Sequence, residues 1–214
     1  MKHVFLLFGA VTIINLTASA QIKKGSVLLG GQLSFTDSKT AFNTPQPDQK
    51  YNSGSYNISA GTALKQNSVL GLYTGYSHYR FNNGNNFYNK ISEDRYNFGV
   101  FFRQYKKLAK DFYFFGELGT GYIGSNRTES TISPNVTTKY AQSGANIYLT
   151  PGISYRIYKK LQVELLVPQI AGVSFSVLKT TTQSNSSREN LFSFNTNLNS
   201  SLLSNLGLGF RFVL

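Results

Sequence analysis

Arg95-Tyr96-Asn97-Phe98-Gly99-Val100-Phe101-Phe102-Arg103 is the stretch whose reading decides the fold. Tyr96, Phe98, Val100 and Phe102 share one parity, and Arg95, Asn97, Gly99 and Arg103 share the other. Successive side chains of an extended chain point to opposite faces. The segment therefore predicts a strand with one greasy, aromatic face and one face of small, polar or charged residues. Its period is two, and a helical period of 3.6 does not fit it.

The same alternation recurs at 27–35, 55–64, 70–77, 112–122, 146–155, 161–167 and 205–214. Eight segments of roughly ten residues match the length a tilted strand needs to cross a bilayer. Between them, polar stretches at about 36–52, 81–93, 125–143 and 179–190 are predicted as long loops. Short turns are predicted at 65–67, 106–111 and 158–160. Long and short connections in alternation are the pattern of an up-and-down barrel. In a soluble barrel the polar parity would meet water and carry many charges. Here it is rich in Gly, Ser and Asn, which suits the narrow interior of eight strands, while the large apolar parity suits lipid. Lipid offers no hydrogen bonds, so only a closed sheet satisfies the backbone there. The predicted fold is an all-β, eight-stranded antiparallel up-and-down transmembrane β-barrel. Pro151 and Pro168 fall inside strand segments and predict local irregularity of the ladder.

Composition bounds the chemistry. The chain has 214 residues, 41% hydrophobic, 14% charged, with a formal charge of +12. Its 14 Tyr and 17 Phe are too many for disorder. Cysteine is absent, which excludes disulfides, thiol nucleophiles and cysteine-ligated metals. Residues 1–20 have the layout of a secretory signal peptide: Lys2, an apolar run from Val4 to Leu16, then Ala18-Ser19-Ala20. Cleavage before Gln21 would leave 21–214 as one barrel domain. It would also remove His3, so a multi-histidine metal site is excluded. No cofactor is expected.

Near the chain end stands Asn205-Leu206-Gly207-Leu208-Gly209-Phe210-Arg211-Phe212. Its Asn205, Gly207, Phe210 and Phe212 resemble the C-terminal targeting signal that the barrel-assembly machinery reads in bacterial outer-membrane barrels. Val213 and Leu214 depart from it by following the final aromatic. The opening 25–35 and the segment 149–157, with its strand-borne Pro-Gly and the Lys159-Lys160 turn behind it, resemble outer-membrane β-barrel proteins common in the Bacteroidota. That resemblance implies a small barrel of the OmpA/OmpX type, without common catalytic residues, in the cell outer membrane after Sec-type export.

Four ionisable residues fall on the inward parity near the short-turn end. A lone charge in a cramped lumen is costly and a hydrogen-bonded pair much less so. The spacing therefore predicts two lumenal salt bridges, Arg103–Glu117 and Glu164–Arg211. Lys65, Lys106, Lys107, Lys110, Lys159 and Lys160, with Lys23 and Lys24, form a predicted periplasmic basic rim. Tyr76, Tyr79 and Tyr96 toward the outside, and Tyr105, Phe112, Tyr155, Phe210 and Phe212 toward the periplasm, are predicted interfacial girdles.

Serine hydrolysis needs a nearby base. His78 is the one histidine of the mature chain; its neighbour Ser77 points to the opposite face, and Arg80 stands where a same-face serine would be useful. A barrel enzyme acting on membrane lipid is thus disfavoured. The reading is a non-enzymatic outer-membrane barrel with a mostly plugged lumen, acting as a structural or surface-interaction protein. Its expected partners are outer-membrane lipids and lipopolysaccharide, and nucleic acid is not one. The alternative is a narrow pore or carrier for small solutes. Sequence names neither a ligand nor an oligomeric state.

Overall fold

The computed structural model describes residues 22–40, 49–83, 90–131, 136–183, 185–196 and 206–214. It contains ten strands: β1 Val27–Thr40, β2 Gln49–Lys65, β3 Ser68–Asn83, β4 Lys90–Lys107, β5 Phe112–Thr131, β6 Val136–Tyr158, β7 Leu161–Leu166, β8 Ala171–Thr182, β9 Asn185–Thr196 and β10 Gly207–Val213. Neighbours pair antiparallel from β1 to β7, then β7 pairs with β10 and β10 with β1, which closes a ring of eight. β8 continues β7 along the edge of β6, and β9 pairs with β8. The seventh and eighth staves of the barrel are thus each made of two segments.

The register fixes the tilt. From Gly31, the path through Ile58, Thr74, Phe98 and Tyr122 reaches β6 at Ala145. The opposite path, through Phe210 and Val163, reaches β6 at Tyr155, and 155 − 145 = 10 residues of stagger. With a rise of ~3.3 Å per residue and ~4.8 Å between eight strands, that stagger tilts them by about 40°, within the range of closed barrels.

Two sequence expectations are corrected. The polar stretches predicted as long loops are mostly strand. The β5–β6 ladder runs unbroken from Phe112–Tyr155 to Thr131–Val136, and the other hairpins extend likewise through Ser, Thr, Asn and Tyr. These residues keep period two and favour or tolerate pleated structure once a neighbouring strand pairs them. The inward parity is also less uniformly polar than expected. Leu28, Val69, Phe101, Tyr105, Tyr113, Phe115 and Leu166 point inside and pack with Ile22 and Ala63 at the short-turn end.

The turns there are tight. Gln66 and Asn67 join β2 to β3, with Asn67 at φ 62, a left-handed conformation that Asn tolerates. Its N–H donates to the Ile22 carbonyl at 3.0 Å, and its own carbonyl accepts from Tyr105 N–H at 2.8 Å. The turn thereby pins Ile22 across the barrel mouth. At the break between β7 and β8, Pro151 lacks an N–H but its carbonyl accepts from Val167 N–H at 3.0 Å, and Gln169 sits at φ 48. Its side toward β5 stays in register opposite Gly116, so the irregularity is confined to the seventh stave and includes Pro168.

The outer surface is greasy. Leu72 and Ile58 are 65% exposed, whereas the inward Leu28 and Val69 are fully buried. Leu33, Phe98, Leu118, Phe175 and Phe210 continue this belt around the ring. A water-soluble protein rarely shows so continuous an apolar surface. It is the distribution of a transmembrane barrel.

Candidate functional site

The candidate site is the lumen, built from the inward parity upward. At the short-turn end Arg103 lies in the middle, 2% exposed. Its guanidinium is 4.2 Å from the centroid of Phe115 and 5.7–5.8 Å from those of Tyr105 and Phe101, close enough for cation–π attraction. Arg103 Nε donates to Glu117 Oε2 at 2.8 Å, since the two residues are directly opposed on β4 and β5. Arg103 Nη1 donates to Glu164 at 2.7 Å across the lumen, and Arg211 Nε donates to the same carboxylate at 2.9 Å. Tyr105 OH donates to Glu164 and Tyr148 OH to Glu117, both at 3.3 Å.

The result is one chain, Glu117–Arg103–Glu164–Arg211, with two positive and two negative groups and no net charge. Buried ions are tolerable only when paired and hydrogen-bonded. The Arg103–Glu164 link has no sequence signature, because β4 and β7 are not neighbours; they meet only through curvature. The aromatic residues around it did leave a signal. Val27-Leu28-Leu29, Val100-Phe101-Phe102 and Phe112-Tyr113-Phe114-Phe115 are apolar on both parities. Where the alternation fails, both faces of the strand need greasy side chains.

Above the network the lumen opens into a cavity of about 170 Å³ lined by Gln32, Asn57, Tyr73, Asn97, Asn146 and Tyr148, with Arg103, Glu164 and Arg211 in its floor. A wider cavity of about 390 Å³ continues it past Ser77, Arg95, Ser125, Gln142 and Asn195 toward the long hairpins. Glycines make room for the lumenal rings. A Cβ on Gly71 would meet the Ala60 carbonyl and stand 2.5 Å from Phe101 Cζ. Gly71→Ala is therefore expected to cost about 1–3 kcal/mol by overpacking, read as a lower urea midpoint for unfolding from detergent. An unchanged midpoint would contradict the tight seating.

The other predicted residues divide clearly. Tyr76, Tyr96, Phe112, Tyr155, Phe210 and Phe212 face outward and are 41–50% exposed. Tyr105 and Tyr79 do not belong to the girdles. Tyr105 is buried on the inward parity of β4, and Tyr79 turns inward on β3 against Tyr51, with centroids 5.3 Å apart. Gly207 lies on the inward parity of β10, and Asn205 lies outside the described residues. Lys65, Lys110, Lys159 and Lys160 are exposed at the short-turn end, and Lys106 and Lys107 are half-buried there. His78 lies on the outward parity, with Nε2 3.1 Å from Asn52 Oδ1, while Ser77 lines the lumen. Among the described residues no His, Asp and Glu cluster could hold a metal ion.

Solved structures that resemble this one include three outer-membrane proteins. The chain is similar to a major outer membrane protein from Thermus thermophilus, at 10% identity over 88% of this chain and 99% of that one, with a TM-score of 0.49. It is also similar to Ail, the attachment invasion locus protein of Yersinia pestis, at 10% identity, with 89% and 95% covered and a TM-score of 0.38. The translocator domain of the autotransporter NalP from Neisseria meningitidis matches at 8% identity, with 99% and 94% covered and a TM-score of 0.41. No protein-family model and no curated protein matches the chain. At these identities and scores the likenesses transfer no residue role or ligand, and the barrel assignment stands on the register and the outer belt.

Proposed function

We propose that this chain is an integral outer-membrane β-barrel, exported through a cleaved leader at 1–20, with its short turns in the periplasm. It acts as a non-enzymatic anchor whose extended hairpins meet partners at the cell surface. The observation that carries this reading is the pairing of a lipid-facing belt with a lumen filled at one end. The Glu117–Arg103–Glu164–Arg211 chain and the rings of Phe101, Tyr105 and Phe115 occupy the cross-section there. Eight strands leave an interior that side chains can just fill. The resemblance to small Bacteroidota barrels and the Gly207, Phe210 and Phe212 signal agree with assembly in that membrane.

Strand length supports the surface role. Twenty residues of β5, at ~3.3 Å each and a tilt of about 40°, stand about 50 Å tall. The hydrocarbon core takes about 30 Å, so about 20 Å of paired sheet projects on the long-hairpin side. Surface patches of this kind, held on a rigid scaffold, are where binding residues concentrate.

Planar-bilayer recording of the purified protein tests the closed lumen. Wild type is expected to give no unitary conductance. Glu117→Gln is expected to lower stability and leave the membrane silent. Discrete ohmic steps from wild type would replace this reading with a narrow pore or carrier, and a large conductance change in Glu117→Gln would sink the structural role of the pair.

A further inference from the structure

We infer that the short-turn rim is a docking surface for the anionic phosphodiester headgroups of the leaflet it enters. This rests on the membrane reading above. Each short turn carries lysine: Lys65 with Lys23 and Lys24 at the β2–β3 corner, Lys106, Lys107 and Lys110 at β4–β5, and Lys159 and Lys160 at β6–β7. Hydrogen bonds gather these pieces at one end. Gly25 N–H donates to Ala63 O at 2.8 Å, and Val213 N–H donates to Lys160 O at 2.8 Å.

Asp111 is the acidic side chain of the rim itself among the described residues, held by Arg156 at 2.8 Å, while Glu117 and Glu164 lie inside the lumen, paired with Arg103 and Arg211. The opposite end mixes signs, with Asp37, Glu93, Asp94, Glu129 and Glu189 set among its basic residues. Nine basic residues face five acidic ones at that end among the described residues, so the positive excess is larger and less offset at the short-turn rim.

The setting of the lysines selects the partner. They alternate with apolar side chains that continue the lipid-facing belt: Leu64, Leu108, Ile157 and Tyr158 are 45–69% exposed beside them. Lys106 is paired across the sheet with outward-facing Phe114. Lysine stems lie along apolar surface while the ammonium reaches the polar boundary, and basic groups at that depth attract anionic lipid. A face meant for a soluble polyanion would point away from the belt. Here the charges sit on its edge, where headgroup phosphates lie.

The test uses the mature chain folded into vesicles of phosphatidylcholine and phosphatidylglycerol in equal amounts, with labelled lipid reporting the composition of the shell around the protein. One lysine near an anionic surface is worth roughly a fivefold preference. Wild type is expected to enrich phosphatidylglycerol by about fivefold or more, and high salt should reduce this. Replacing Lys65, Lys106, Lys107, Lys159 and Lys160 together by Gln is expected to bring the ratio near one, and Arg at the same positions should restore it. No enrichment around folded, heat-modifiable wild type overturns the inference, as does full enrichment around the Gln variant. So does binding of wild type to peptidoglycan sacculi without any phosphatidylglycerol preference. If the Gln variant does not fold, the salt dependence of wild type decides alone. Failure of wild type to insert at all would instead sink the membrane reading.

Discussion

Glu164→Ala is expected to cost about 3–5 kcal/mol of stability, because it strands the buried Arg211 and removes one of the two carboxylates that hold Arg103. Glu164 is 1% exposed and accepts from both Arg103 and Arg211. Without it Arg103 keeps Glu117, but Arg211 has no other acidic partner in the described network. Arg103, Glu164 and Arg211 are only 1–3% exposed, so the loss is not screened away as it would be for a surface pair. The measurement is urea unfolding from detergent micelles or lipid vesicles. Replacing Arg103, Glu117, Glu164 and Arg211 together by Met, Leu, Leu and Met is expected to lose much less, since buried ionic sets exchange for apolar groups of similar volume at small cost. An Ala variant within about 0.5 kcal/mol of wild type, the range of ordinary surface substitutions, would contradict a buried, mutually dependent network.

Leu72→Arg carries the second large effect. Leu72 is 65% exposed and sits between Ala60 and Val100 in the middle of the outer belt. On the surface of a water-soluble protein so exposed a position would tolerate Arg, with a change within about ±0.5 kcal/mol. Facing hydrocarbon near the bilayer midplane, Arg is expected to cost about 2–4 kcal/mol. Reversible folding into lipid vesicles reads the difference. A lumen-facing change such as Ser77→Asn, beside the wide upper cavity, is expected to move stability far less. Equal tolerance at both sites would reject the lipid-facing assignment.

The sequence carries the barrel because lipid and lumen impose opposite demands on alternate residues, and Tyr96 to Arg103 displays both. It carries the Arg103–Glu117 pair because counting from the β4–β5 turn sets those two residues opposite each other. Glu164 and Arg211 share only a parity and an end of the barrel, Glu164 being in register with Gly209. The Arg103–Glu164 bond depends on how tightly the sheet curls, and a ten-residue stagger is not written in any single strand. Tyr105 shares the parity of Arg103, so the alternation already places it in the lumen; reading it as an interface anchor weighs its nearness to the strand end above its parity. The hairpin extensions are hidden because Ser, Thr and Asn mark turns in isolation, yet pair readily once a strand such as β5 offers a template.

The central claim is that the alternate apolar rows touch lipid chains. The chain has no tryptophan, so a single introduced indole is an unobstructed probe. Ile58→Trp, Leu72→Trp and Phe98→Trp on the outward parity, and Tyr73→Trp inside the lumen, can be folded into vesicles whose acyl chains carry bromine. Strong quenching at the three outward sites with little at the lumenal site is the expected result. Absent quenching at the outward sites in a protein that stays soluble without detergent would contradict the account.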